Sequence, residues 1–157
     1  MKTFDYRVGV SWTGNGGEGT STPRFDRSNE LSSEGKPTIV GSAPAEFGGD
    51  GGNWAPEDLF VASVSQCHML TYLFLCSRAG IVVQSYEDAA TGHLEVEGAT
   101  GGHFREIELR PVVTISSGDA AVADALHHDA SKACYIGQSI SSAVRVVSST
   151  TSVSVAA

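Results

Sequence analysis

The sequence predicts an α+β fold, and three observations predict it. Residues 4–12 alternate, with Phe4, Tyr6, Val8, Val10 and Trp12 on one side and Asp5, Arg7, Gly9 and Ser11 on the other, the period of a half-buried strand. From Pro56 to Ala79 the chain has no Gly and no internal Pro, and it reads as one long helix. Along the chain the order is strands, long helix, strands, shorter helix, strand. Strands and helices that do not alternate regularly argue for α+β, with mainly antiparallel pairing.

Each element follows from local signals. Gly14-Asn-Gly-Gly-Glu-Gly19 breaks the first strand. Residues 20–33 are polar, with room for one or two short strands at Phe25 and Leu31, and Pro37–Ser42 offers another. Ala45 to Asn53 is a Gly-rich loop. Pro56 then suits the first helical position, where its missing N–H costs nothing. Glu57 and Asp58 complement the dipole in the first turn, and Gly80 follows the last. Such a helix is about 36 Å long. Leu59, Phe60, Val64, Cys67, Leu70, Leu73, Phe74 and Leu75 make it apolar over most of its girth, so it is expected to be largely buried. Glu57, Asp58, Gln66, His68 and Arg78 interrupt it too often for a membrane span.

Beyond Gly80, residues 81–86 read as extended and Thr91–Glu97 alternates around Leu94 and Val96. Residues 104–116 read as strand, with Pro111 marking an edge or a bulge. Asp119 to Ala133 is helical with a stripe of Val122, Leu126 and Ala130, and Ala143 to Val155 reads as a terminal strand.

The totals narrow the function classes. A chain of 157 residues without repeat or linker is expected to form a single domain over residues 1–157. Its net charge of −8 opposes binding to nucleic acid and to an anionic membrane surface. Met1–Arg7 carries no apolar targeting segment, so a cytoplasmic location is the expectation. Three cysteines without dense spacing do not make a disulfide scaffold. In a reducing compartment they serve as packing, metal ligands or catalysts.

Several motifs carry less than they promise. Gly14-x-Gly16-x-x-Gly19 matches a dinucleotide fingerprint, yet no helix opens after it to receive a pyrophosphate. No metal is expected, because neither CxxC nor HExxH occurs; His68, His93, His127 and His128 lack spacing partners and read as solvated. Cys67 and His68 are adjacent on one helix and diverge by about 100°, so they are not a nucleophile and its base. Cys76 lies on the face opposite Cys67 and reads as packing.

Cys67 and Cys134 remain. Two packed helices can bring two thiols within disulfide range, and Cys134 continues the Leu126–Ala130 stripe. A thiolate that attacks a peroxide becomes a sulfenic acid, which a second thiol traps as a disulfide. Buried structural cysteine is the competing reading, and composition leaves both open.

The segment from Asn53 through Pro56-Glu57 to Ser65-Gln66-Cys67-His68 resembles the signature of the OsmC/Ohr family: a Gly-rich loop, Pro-Glu, then a helix with small residues before Cys. Trp12-x-Gly14, Ala79-Gly80 and Lys132-Ala-Cys134 are also similar to that family, so the resemblance covers nearly the whole chain. It implies an OsmC-like fold of antiparallel sheets around two long central helices in an intertwined homodimer. The implied activity is thiol-dependent reduction of small organic hydroperoxides, with an external dithiol such as a dihydrolipoyl group as reductant and no cofactor. Carried over, Cys67 is the peroxidatic thiol, Cys134 the resolving thiol, and Glu57 positions an arginine, for which Arg24 is the choice and Arg27 the other candidate. Trp54, Phe60, Leu70 and Phe74 would line an apolar pocket for the alkyl group.

Glu57 and Cys67 are ten residues apart on one helix, about 15 Å, so Glu57 can serve only a thiol on another chain. Three features depart from the family pattern: the first loop has no Arg, Tyr135-Ile-Gly-Gln138 follows Cys134, and His68 follows Cys67. The alternative they support is a non-catalytic dimer that binds an apolar or thiol-reactive ligand.

Overall fold

The computed structural model describes residues 1–98 and 101–153. The chain forms two compact units, Met1–Leu59 and Phe60–Ala157.

In the N-terminal unit, β1 (Gly9–Trp12), β2 (Asn29–Ser32) and β3 (Ile39–Gly41) form an antiparallel sheet in that order. Val10 stands opposite Leu31, and Leu31 opposite Ile39. The alternating segment was expected to be half-buried over residues 4–12. Only Gly9–Trp12 is strand, and all four residues are exposed. Alternation records which side chains want cover; within this chain Phe4, Tyr6, Val8 and Val10 find none, at 64–88% exposure. The Gly-rich loop is nevertheless built: Ser42, buried, accepts the Asp50 N–H at 3.0 Å. A side chain at position 49 would collide with the Ala43 carbonyl, which is why glycine stands there.

Helix α1 (Pro56–Arg78) starts and stops where Pro56 and Gly80 predict. The Ala55 N–H donates to the Asp58 carboxylate at 3.0 Å and closes the first turn. Gly80 has φ 72°, and the Ile81 N–H reaches back to the Cys76 carbonyl at 3.0 Å, the left-handed stop that a Cβ would strain. The helix is not largely buried. Only Val64, His68, Tyr72 and Cys76, spaced by four, are fully covered, whereas Leu70 and Phe74 are 57% and 62% exposed. By length and composition α1 could cross a membrane, but its buried stripe packs against the rest of the C-terminal unit.

That unit contains β4 (Val82–Asp88), β5 (Thr91–Glu97), β6 (Gly101–Leu109), β7 (Pro111–Ser117), helix α2 (Ala120–Ala133), β8 (Ala143–Val146) and β9 (Ser149–Ser152). The strands make two sheets, ordered β4-β7-β9 and β5-β6-β8. Pro111 opens β7, so the stretch expected as one strand divides at Arg110 into two that belong to different sheets. The expected terminal strand likewise divides, and Val155 lies outside the described residues. Antiparallel pairing holds for β4–β7 and β5–β6, but β8 and β9 pair in parallel with β6 and β7. The physical reason is α2: a helical crossover returns the chain in the direction it left.

Two clusters form the core of this unit. Tyr72 and Cys76 pack with Ile81, Val113, Ile115, Ala123 and Ala130, and Val64 packs with Ile107 and Leu109. The buried face of α2 is Ala123, His127 and Ala130, with Leu126 at its margin; Val122, expected in the stripe, is 49% exposed. Small alanines let α2 approach the sheet closely. Asp119 caps this helix, accepting from the Ala121 and Val122 N–H groups. Glu108 is buried between Arg110 and Arg145, and both guanidiniums pair with it.

Ile115→Ala is expected to cost about 2–5 kcal/mol in urea unfolding, since it opens a cavity in the larger cluster. Val112→Ala, on the exposed face of the same strand, is expected to change stability by less than about 0.5 kcal/mol. Equal losses at both positions would show that the outer face of β7 is also covered.

Candidate active site

The two candidate thiols are neighbours. Cys67 lies mid-way along α1, half-buried beside the Val64–His68–Tyr72–Cys76 stripe, and Cys134 ends α2. Their side chains are within hydrogen-bonding reach, and both thiols are free. Cys134 is the more enclosed, at 2% exposure. Burial and the neighbouring Cys67 thiol push it up to about 11, while the Gly137 N–H, donating to its Sγ at 3.3 Å, pulls the other way. Gly137 sits in a short 3-10 turn, Gly137–Ser139, folded back on the helix end by the Gln138 N–H to Cys134 carbonyl bond of 2.9 Å. Cys76 belongs to the core, where burial raises its thiol.

Beside the thiols lies a polar group that the sequence reading placed in solvent. His68 and His127 are 1% and 3% exposed. Their rings lie edge to edge with planes 5° apart, and His68 Nε2 lies 3.0 Å from His127 Nδ1. Tyr72 stacks on the other side of His127, its ring centroid 3.9 Å away, and Tyr86 closes the group at 6.3 Å. The outer nitrogens, His68 Nδ1 and His127 Nε2, and both tyrosine hydroxyls are buried with no hydrogen-bond partner of good geometry among the described residues, although the Tyr72 hydroxyl lies beside the Cys76 thiol. Burial lowers the pKa of both histidines, that of His127 to about 4, and raises both tyrosines.

One signal for this pair was present in the sequence: His68 falls four residues after Val64 and four before Tyr72, on the buried stripe. Its partner was not legible, because His127 is 59 residues away and reaches it only when α1 and α2 pack.

The remaining expected residues divide between the units. Phe60 packs on Phe104, ring centroids 4.9 Å apart, and lies against the Val64 cluster. Leu70 and Phe74 are exposed on α1. In the N-terminal unit Trp54 is 52% exposed, and Glu57 has a buried Oε2 without a partner among the described residues. Arg24 is exposed. Arg27 is instead the arginine built into its loop, donating to the carbonyls of Phe25, Gly48 and Pro23 and lying over the Phe25 ring. Among the described residues no group of three or more His, Cys, Asp or Glu is placed to hold a metal ion.

A cleft of about 260 Å³ opens in the C-terminal unit, walled by Val64 and Val144 and lined by His68, Cys134, Lys132 and Gln138. The arrangement defines an α+β protein with two free, neighbouring thiols from two helices, one of which, Cys134, lines a partly polar cleft.

The comparisons agree with that class. The family model for OsmC-like protein matches residues 49–149, and the chain belongs to the OsmC family. An OsmC-like protein of unknown function from Vibrio cholerae has a similar structure, with TM-score 0.83, 26% identity, 94% of this chain and 100% of that chain covered. An organic hydroperoxide resistance protein from Elizabethkingia anophelis gives TM-score 0.66 at 22% identity, covering 97% of this chain and 99% of its own. One from Legionella pneumophila gives 0.65 at 20% identity, covering 99% and 100%. Below 25% identity the likeness speaks for the fold alone. Among curated proteins none matches the sequence.

The buried histidines imply a pH dependence. The ordinary histidine value is 6.5 and that of folded His127 is about 4, so between these the unfolded chain binds the proton that the folded chain refuses. Stability is therefore expected to fall as pH drops from 6.5 towards 4. Thermal unfolding across that range should show a shallower fall for His127→Gln; an identical slope would contradict the burial of a neutral His127.

Proposed function

We propose that this protein reduces organic hydroperoxides through Cys67 and Cys134. The proximity of two free thiols on two different helices carries the reading. Cys67 is the more accessible sulfur, so it is the one that takes the peroxide. Its thiolate attacks the terminal oxygen, an S–O bond forms, the O–O bond breaks, and the alkoxide leaves as an alcohol with a proton. Cys67 is then a sulfenic acid. Cys134 attacks the Cys67 sulfur, an S–S bond forms, and hydroxide leaves and is protonated to water. An external dithiol reduces the disulfide by thiol–disulfide exchange. In that exchange the Gly137 N–H, already aimed at Cys134 Sγ, supports Cys134 as the leaving thiolate.

We further propose that the working form is an intertwined homodimer. The N-terminal unit leaves Phe4, Tyr6, Val8 and Val10 uncovered and the C-terminal unit leaves Leu70 and Phe74 uncovered, large apolar side chains that a partner chain would cover. Trp54, Phe60, Leu70 and Phe74 are the proposed alkyl-binding residues, and Glu57 with Arg24 the proposed supports of a thiol on the partner chain.

Titration of the reduced protein with cumene hydroperoxide tests the reading. Two thiols per chain should disappear, with a Cys67–Cys134 bridge in the mass spectrum. Cys67→Ser should lose turnover entirely. Cys134→Ser should complete one turnover and stop at the sulfenic acid. No thiol loss at millimolar peroxide would sink the peroxidase reading and favour a ligand-binding dimer.

A further inference from the structure

The cleft in the C-terminal unit is chemically one-sided. Cys134 forms part of its wall, and Cys67 is not among the residues that line it. A molecule seated there meets the resolving cysteine and not the peroxidatic one. The cleft therefore belongs to the half of the cycle that the peroxide does not enter. At about 260 Å³ it is smaller than the roughly 300–1,000 Å³ of drug-sized sites, so it suits a small molecule rather than a peptide.

Its wall also carries a cation. Lys132 and His128 both line it, four residues apart on α2 and so on one face of the helix. Lys132 is exposed and makes no ion pair among the described residues. Arg105, Arg110 and Arg145 differ, since each is paired with a glutamate. The chain has three lysines, Lys2, Lys36 and Lys132, so this is the one lysine of the C-terminal unit. His128 offers a further N–H donor. Gln138 lines the cleft too, and its Nε2 donates to the Ser131 carbonyl at 3.0 Å, which holds the amide against the end of α2. Val64 and Val144 supply apolar wall.

Lys132 complements the dipole at the end of α2, a role open to a lysine anywhere in that turn. The same dipole repels an anion at this end of the helix, so an anion held in the cleft depends on Lys132. On a chain of net charge −8, an unpaired cation beside a reactive cysteine selects the charge of what approaches it.

We propose that the cleft is the docking site of the reductant, and that it selects a small thiol bearing a carboxylate, which Lys132 holds while the thiol sulfur attacks Cys134. This rests on the dithiol reading above and names the class of its reductant. The steps balance. The reductant thiolate attacks Cys134 Sγ, a new S–S bond forms, the Cys67–Cys134 bond breaks, and Cys67 leaves as a thiolate ready for the next peroxide. A second thiolate, from the same dithiol or from a second monothiol, attacks the reductant sulfur of the mixed disulfide. Cys134 then leaves as a thiolate beside the Gly137 N–H. The two protons of the reductant thiols end on the two cysteines, and the reductant leaves as its disulfide.

The test starts from protein oxidised with diamide, a two-electron thiol oxidant that needs no peroxidase activity. The Cys67–Cys134 disulfide is reduced with 3-mercaptopropionate and, separately, with the uncharged 3-mercaptopropionamide, and the rates are compared as a ratio within each protein, so that the intrinsic reactivity of each thiol cancels between proteins. Lys132→Gln is expected to lower the carboxylate-to-amide ratio roughly 2- to 5-fold, the scale of an exposed ion pair. Lys132→Arg should restore it. Arg105→Gln, which removes the same charge outside the cleft, should keep the wild-type ratio. Added salt should lower the ratio in wild type and leave it flat in Lys132→Gln. Acid quenching and alkylation should find the mixed disulfide on Cys134 with Cys67 free. If Lys132→Gln does not fold, the salt dependence and the position of the mixed disulfide in wild type decide the matter. An unchanged ratio in folded Lys132→Gln, an equal loss in Arg105→Gln, or a mixed disulfide on Cys67 would overturn the proposal. Absence of a Cys67–Cys134 bridge after diamide would remove the dithiol reading and this proposal together. Failure with peroxide alongside normal diamide closure would remove the peroxidase reading alone, and the ratios would still decide what the cleft selects.

Discussion

Burial of one stripe of α1 governs the C-terminal unit. Val64, His68, Tyr72 and Cys76 recur every four residues, so they fall on one face. Tyr72 and Cys76 pack with β7 and with the alanines of α2, and Val64 packs with the end of β6. Each fully buried aliphatic side chain contributes about 1.5–3 kcal/mol. This contact sets the rotation of α1 about its axis, and rotation decides where Cys67 points. With α1 and α2 held face to face, Cys67 and Cys134 come together without a covalent link.

The same packing carries a cost in polar groups. A core stripe of Val, His, Tyr and Cys buries nitrogen and hydroxyl groups where leucines would bury none. His68 Nδ1 and Tyr72 Oη on the stripe, and His127 Nε2 and Tyr86 Oη packed against it, find no partner among the described residues, and each such loss costs about 1–3 kcal/mol. Stacking of Tyr72 on His127 and the hydrogen bond between the two histidines offset part of that. Stability is thus spent at one location, next to the thiols. Local sacrifice of this kind is what functional sites show when packing alone would favour something simpler.

Accessibility distinguishes the two sulfurs. Cys67 retains some exposure on α1, whereas Cys134 is 2% exposed in the wall of the cleft and accepts the Gly137 N–H. The Tyr135-Ile-Gly-Gln138 sequence, which departs from the family pattern, is the segment that builds the turn against Cys134.

Local signals in the sequence determined a great deal: the α+β class, both helices with their caps at Pro56, Gly80 and Asp119, the Gly-rich loops, and the two cysteines singled out as a pair. These are short-range properties, readable from periodicity, from glycine and proline, and from capping residues. Tertiary structure alone decided which face of each helix is buried, the division of the 104–116 segment between two sheets at Pro111, and the parallel return of β8 and β9. It also placed His68 against His127. A histidine on a helix reads the same to its sequence neighbours whether it faces water or another histidine 59 positions away, and only the packing of α1 on α2 distinguishes the two.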